Sequence, residues 1–326
     1  MNGKINVNVI LEPLLEFDRI GSFDEGFADV EMNGLKGFID KEGHTVIPII
    51  YEDYHSSFFR EGLACIKKDN SYHFIDKNNN VIIPYVSDDV TWFSEGLAHV
   101  KRGGKQGFIN NTGNIAIPLI YDWTGSFHEG LAQVKINGKG GYINKTGDVV
   151  IPCIYDNVTA FSGGLAGVHK NGKLGYIDKT GEIVIPFLYN PKTAEGLFKD
   201  GVAVVVKDGK RLFIDKIGNI IQLPYDDYEY IQSFTEGLAR VVKGNKEGFI
   251  NKAGEIVIPL IYDSATIFFE RLAAVQTDGR ETGKWGFIDR AGEVVVPCEY
   301  DWNTFFSGGL APVRKDGKWG ILQIAV

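Results

Sequence analysis

Tyr-Asp recurs at Tyr121-Asp122, Tyr155-Asp156, Tyr262-Asp263 and Tyr300-Asp301. Carboxylates can act as general acids and bases or supply oxygen ligands to a hard cation. The adjacent pairs Asp88-Asp89 and Asp226-Asp227 offer the same two chemistries. The spacing argues against both. A catalytic residue normally occurs once, on a scaffold that differs around it, whereas these carboxylates return each time the surrounding pattern returns. The Asp-Asp pairs also lack the multi-ligand loop of a calcium site, and read as solvated connector residues. The histidines (His44, His55, His73, His99, His128 and His169) form no pair at metal-ligand spacing with each other or with cysteine. His73 reads as a solvent-facing substitution. Gly103-Gly104-Lys105 occupies a hairpin-turn position, and no nucleophile elbow, phosphate loop or dinucleotide fingerprint is present. The expectation is no catalytic residue, no metal and no cofactor.

Aromatic residues are the remaining candidates. Trp92, Trp123 and Trp302 fall in variable connectors, with Tyr54, Phe58, Tyr228, Tyr230 and Phe305 beside them. Trp123 and Trp302 share one position, directly after Tyr-Asp. Protein interfaces enrich Trp and Tyr as anchors, and sugars stack on the same rings. Trp92, Trp123, Trp302, Tyr54, Tyr228 and Tyr230 are therefore the expected partner contacts; packing between repeat units is the competing role.

These residues sit in a repeated element. Phe-x-(Glu/Gly/Asp)-Gly-Leu-Ala, with substitutions, begins at Phe23, Phe59, Phe93, Phe127, Phe161, Phe198, Phe234, Phe268 and Phe306, at intervals of 34 to 38 residues. Such a period marks a solenoid, a propeller or an array. In the copy at Leu131, Ala132 and Val134 alternate with polar residues, as in a half-buried strand. The position between them holds Asp29, Cys65, His99, Gln133, Gly167, Val204, Arg240, Ala274 and Pro312, a range that argues against a core position. Asn137-Gly138 and its equivalents suit a tight type I′ turn. A second strand, Gly-(Phe/Tyr)-Ile-(Asp/Asn), leads to an Asx-x-x-Gly turn with a G1 bulge. A third strand stops at proline, as at Pro152. Each unit reads as a three-stranded meander plus a connector.

This pattern resembles the WG-repeat family of bacterial proteins, on Lys284-Trp285-Gly286-Phe287-Ile288-Asp289, Lys318-Trp319-Gly320, the Val-Ile-Pro and Tyr-Asp motifs, and Phe-x-Glu-Gly-Leu-Ala. The resemblance spans essentially the whole chain. The tryptophan position departs from it in the other copies, holding Lys36, Tyr72, Gln106, Gly140, Leu174, Arg211 and Glu247. The resemblance implies a noncatalytic repeat module.

The expected fold is all-β: one repeat domain over residues 1–326, with about eight or nine tandem meanders stacked as an open solenoid or superhelix. The alternative is a closed, propeller-like toroid. Residues 1–22 read as an incomplete first copy and 307–326 as an incomplete last one. A propeller completes one blade from such ends, whereas a solenoid must cap them. The unequal spacing, and units short for four-stranded blades, favour the solenoid.

Net charge is −8, with lysine and arginine spread through the turns, which disfavours nucleic acid and anionic membranes. No apolar run reaches the length of a membrane span. The odd count of 3 cysteines and the absence of a signal-peptide pattern point to a cytoplasmic protein, or a secreted or surface one if a leader has been removed. The expected function is protein–protein binding or scaffolding through the connectors. Carbohydrate or cell-wall glycan binding comes second, and a hydrolase using connector carboxylates third.

Overall fold

A computed structural model describes residues 5–54, 58–84, 89–90, 92–190, 196–223 and 228–325. No helix occurs among them, so none is long and apolar enough to cross a membrane. The chain divides into two compact units, Met1–Phe59 with Gln222–Val326, and Arg60–Ile221.

The repeat at Trp123 shows how sequence becomes sheet. Strands Trp123–His128, Leu131–Ile136, Lys139–Asn144 and Val149–Tyr155 pair in that order, each antiparallel to the next. The connector thus supplies a fourth strand, which corrects the three-stranded expectation. A unit of 34 residues suffices because connector strands are short, down to two residues at Asn157–Val158. Asn137 and Gly138 have φ of 51° and 75°, as a type I′ turn requires. In the next turn Asn144 Oδ1 accepts N–H bonds from Thr146 (3.0 Å) and Asp148 (2.9 Å), and Gly147 is left-handed at φ 87°. Asn79 adopts the same conformation, at 66°, where other copies have glycine.

Nine such sheets occur among the described residues, eight with four strands and one with three. The sheet in the first unit that ends the chain decides the fold. It runs in the order Val7–Leu15, Lys318–Ile324, Leu310–Lys315, Trp302–Asn303. Val7–Leu15 lies antiparallel to Lys318–Ile324, with Val7 opposite Ile324 and Val9 opposite Leu322. An open solenoid keeps its first and last strands at opposite ends and cannot pair them. The open-superhelix expectation is therefore overturned, and the fold is the alternative, a closed β-propeller whose last blade takes strands from both chain ends. The apolar run from Ile321, unsuited to a solenoid cap, is the strand that the N-terminal segment covers.

Within each unit neighbouring blades are held by the same contacts. Phe38 meets Phe59, Phe74 meets Phe93, Phe108 meets Phe127 and Tyr142 meets Phe161, each with ring centroids 4.9 Å apart. These pairs join the Gly-(Phe/Tyr)-Ile strand of one blade to the Phe that opens the next. The second contact is a carboxylate. Glu129, left-handed at φ 54°, accepts the N–H groups of Gly163 (2.7 Å) and Gly164 (3.0 Å) in the following blade. Glu61 reaches Gly96, Glu95 reaches Gly130 and Glu270 reaches Gly308 and Gly309 in the same way. Burial raises the Glu129 pKa, but Lys179 and the two N–H donors outweigh it and hold the carboxyl below its ordinary value. A left-handed non-glycine residue costs about 1–2 kcal/mol, and this bond to the next blade offsets that cost. The sequence displayed the Glu without its reason.

The position between the small and branched strand residues is also corrected. Asp29, Cys65, Gln133, Val204 and Ala274 are buried there. It faces the connector of its own blade, and connector and side chain vary together: Gly21 leaves room for Asp29, and Gly125 for Gln133. Variability here reflects local matching. His73 is half-buried, which corrects its solvent-facing reading.

Candidate functional site

The Tyr-Asp carboxylates are clamps. Asp122 accepts Lys105 Nζ of the preceding blade at 2.6 Å and the Asn137 N–H at 2.7 Å, tying that blade to the hairpin turn of the connector's own. Asp156 does the same with Lys139 and Asn171, and Asp263 with Lys246 and Gly279. The lysine bond is the main cause of the lowered pKa of all three carboxyls. Of the Asp-Asp pairs, Asp88, Asp226 and Asp227 and the side chain of Asp89 lie outside the described residues. Among the described residues, no group of three or more His, Cys, Asp and Glu is placed to hold a metal ion.

The tryptophan position of the repeat reaches the next blade. Gln106 Oε1 accepts the Thr124 N–H at 2.6 Å, and Glu247 Oε2 accepts that of Ala265 at 2.8 Å. Trp319, 3% exposed, donates its indole N–H to the Phe17 carbonyl at 3.0 Å. Gln, Glu and Trp are therefore interchangeable there as polar links between blades.

The connector aromatics behave differently. In the unit Arg60–Ile221, Trp123 is 40% exposed and lies opposite Lys135, whose Nζ is 5.6 Å from its ring centroid; Trp92 is also exposed. In the other unit Trp302 is 59% exposed, Tyr230 is exposed and Tyr228 half-buried. The side chain of Tyr54 lies outside the described ones.

Trp302 lines a cavity. It borders a groove of about 590 Å³ with Asp18–Ser22, Thr266, Thr304, Phe305, Arg314 and Trp319. Its position follows from the strand register: Trp302 lies opposite Arg314, whose guanidinium sits 5.9 Å from the Trp319 ring centroid. Phe305, also exposed, meets Phe269 edge-on with centroids 5.4 Å apart. The opposite wall comes from the first blade. There Arg19 pairs with Asp29, and Asp18 accepts the Asn33 N–H at 2.7 Å. Asp29 is 1% exposed, and burial pushes its pKa up to about 6 against the pull of Arg19. Residues from both chain ends thus build one groove, which is why the linear sequence concealed it. Phe269 was missed because it occupies the variable place inside Phe-x-Glu, and Arg314 because only register sets it against Trp302.

The model of the WG containing repeat matches nine consecutive segments: residues 8–35, 37–72, 74–105, 107–139, 141–173, 175–210, 213–246, 248–280 and 285–319. No curated protein sequence matches the chain. Among solved structures, a eukaryotic initiation factor is similar in fold, with a TM-score of 0.57 and 12% identity over 87% of this chain and 88% of that one. BamB from Moraxella catarrhalis matches at 0.42 and 13% identity over 96% of this chain and 100% of its own. Hsv2p from Kluyveromyces lactis matches at 0.42 and 11% over 85% and 97%.

Proposed function

We propose, from the premise that the chain belongs to the WG containing repeat family, that it is a noncatalytic module that binds a protein partner through its connectors. The observation that carries this reading is the groove beside Trp302. The framework side chains of the repeat are consumed in packing between blades, whereas Trp302, Phe305 and Phe269 expose aromatic surface together in one unit. Trp and Arg are the side chains most enriched at interface anchors, and both line this groove. The proposal keeps Trp92, Trp123 and Tyr230 as further contacts on exposed connector surface. It also places the protein in a reducing, cytoplasmic compartment. Cys65 is buried, Cys153 and Cys298 are half-buried against apolar clusters, and burial raises the pKa of the latter two.

Capture of partners from native lysate by the wild-type chain and by Trp302→Ala tests the reading. The substitution is expected to weaken capture by about 2 kcal/mol or more while leaving the melting curve within about 0.5 kcal/mol of wild type. Equal capture by both chains rejects the groove. A collapse of the melting curve shows instead that Trp302 packs between blades. Capture that glycan competes away moves the protein to the carbohydrate-binding class.

A further inference from the structure

We propose that the groove beside Trp302 recognises an acidic peptide segment by seating one apolar or aromatic side chain against Trp302 and Phe305, with flanking carboxylates on Arg314 and Arg19. This deepens the protein-binding reading and rests on it.

Size sets the first limit. A volume of about 590 Å³ lies within the roughly 300–1,000 Å³ of sites that enclose drug-sized ligands. It therefore admits one or two residues of a chain rather than the flat surface of a domain. Surface chemistry sets the second. Trp302 and Phe305 are 59% and 48% exposed, and Phe269 supports the Phe305 ring edge-on. An apolar side chain that displaces water from these rings gains the burial that a fully polar ligand cannot supply.

Charge selects among peptides. The chain carries net −8, yet the groove has guanidinium groups on both walls, Arg19 on one and Arg314 on the other. Arg314 is held over the Trp319 ring and donates Nε–H to the Gly317 carbonyl at 3.2 Å, which fixes its plane. The Arg19 side chain is 46% exposed while one of its nitrogens meets Asp29. A planar guanidinium held this way is suited to two-point carboxylate recognition. Asp18 is the acidic residue of the lining, and its carboxylate already accepts the Asn33 N–H. A neutral sugar could stack on Trp302, but it would offer Arg314 no counter-charge and would leave unused the nitrogens of Arg19 that do not meet Asp29.

The test uses the full chain immobilised and two pools of end-capped hexapeptides. Each pool carries a central Leu, Phe or Trp, flanked by Asp and Glu in one pool and by Lys and Arg in the other; a chito-oligosaccharide forms a third arm. The acidic pool should be retained, with affinity that falls as salt rises. Trp302→Ala and Arg314→Gln, each checked by its melting curve, should each lower that affinity on the order of tenfold or more. Equal or preferential retention of the basic pool overturns the proposal. So does retention of neither pool, retention insensitive to both substitutions, or retention of the sugar alone. If Trp302→Ala abolishes capture of a lysate protein while the acidic pool is not retained, the peptide chemistry fails and the protein-binding reading stands. If capture and retention are both absent, both fail.

Discussion

Ile143→Ala is expected to destabilise the protein by about 2–5 kcal/mol, the cost of a buried large-to-alanine change with its cavity. Ile143 is fully buried and lies opposite Ala132 on the neighbouring strand. It packs in a cluster with Leu97, Phe108, Ile117 and Tyr121 of the preceding blade, and with Phe127 and Val134 of its own. The lost methyl groups therefore face two rigid sheets, and neither can close over the space without breaking its ladder. Urea titration of the variant beside wild type measures the effect. A midpoint shift worth less than about 1 kcal/mol would show that the interface between blades is soft. Ile39, Ile177, Ile250 and Ile288, all fully buried, occupy the same position and should behave alike.

Gly248→Ala should cost about 1–3 kcal/mol, the scale of overpacking strain, although it adds a single methyl group. A Cβ at Gly248 would stand 2.6 Å from the Ile258 carbonyl oxygen and 2.8 Å from that of Pro259. Both are backbone atoms, so no side chain can turn aside. The strand Ile256–Tyr262 bows around this point: Glu247 lies opposite Tyr262 and Phe249 opposite Ile258, so two steps on one strand span four on the other. The chain contains its own comparison. His73 and Leu212 take this place in two other sheets, and among the described residues the following strands there are Val81–Ile83 and Ile220–Ile221. Hydrogen exchange should show the Ile256–Tyr262 amides loosened first in the variant. Unchanged exchange and melting would mean that the bulge accommodates a side chain.

The local chemistry of the repeat was legible because it is written in residues with special backbone preferences. Asn137-Gly138, Asn144 with Gly147, and the terminal prolines each specify their turn without help from the rest of the molecule. The framework isoleucine position was legible from uniformity alone. Two things were not legible, for related reasons. Closure depends on Val7–Leu15 meeting Lys318–Ile324, a pairing across the length of the chain that no local pattern encodes. The variable position at Asp29 and Gln133 looked solvent-exposed because each copy solves the packing separately, with a glycine on the adjacent connector strand. The groove inherits both difficulties. Trp302 was visible as an aromatic in a connector, but Arg19, Arg314 and Phe269 gain meaning only once the chain ends share a sheet.

That pairing is the premise on which the propeller, the last sheet and the groove all depend, and a cross-link tests it most directly. Asn8 and Gln323 are partners in the antiparallel ladder. Such partners have Cα atoms about 4.5–5.5 Å apart, within the roughly 7 Å that a disulfide spans. The doubly substituted chain Asn8→Cys/Gln323→Cys, mildly oxidised and digested, should give a peptide joining positions 8 and 323 from monomeric protein. If both thiols instead stay open to alkylation in the folded monomer, or link only between molecules, the chain ends do not meet and the closed fold is wrong.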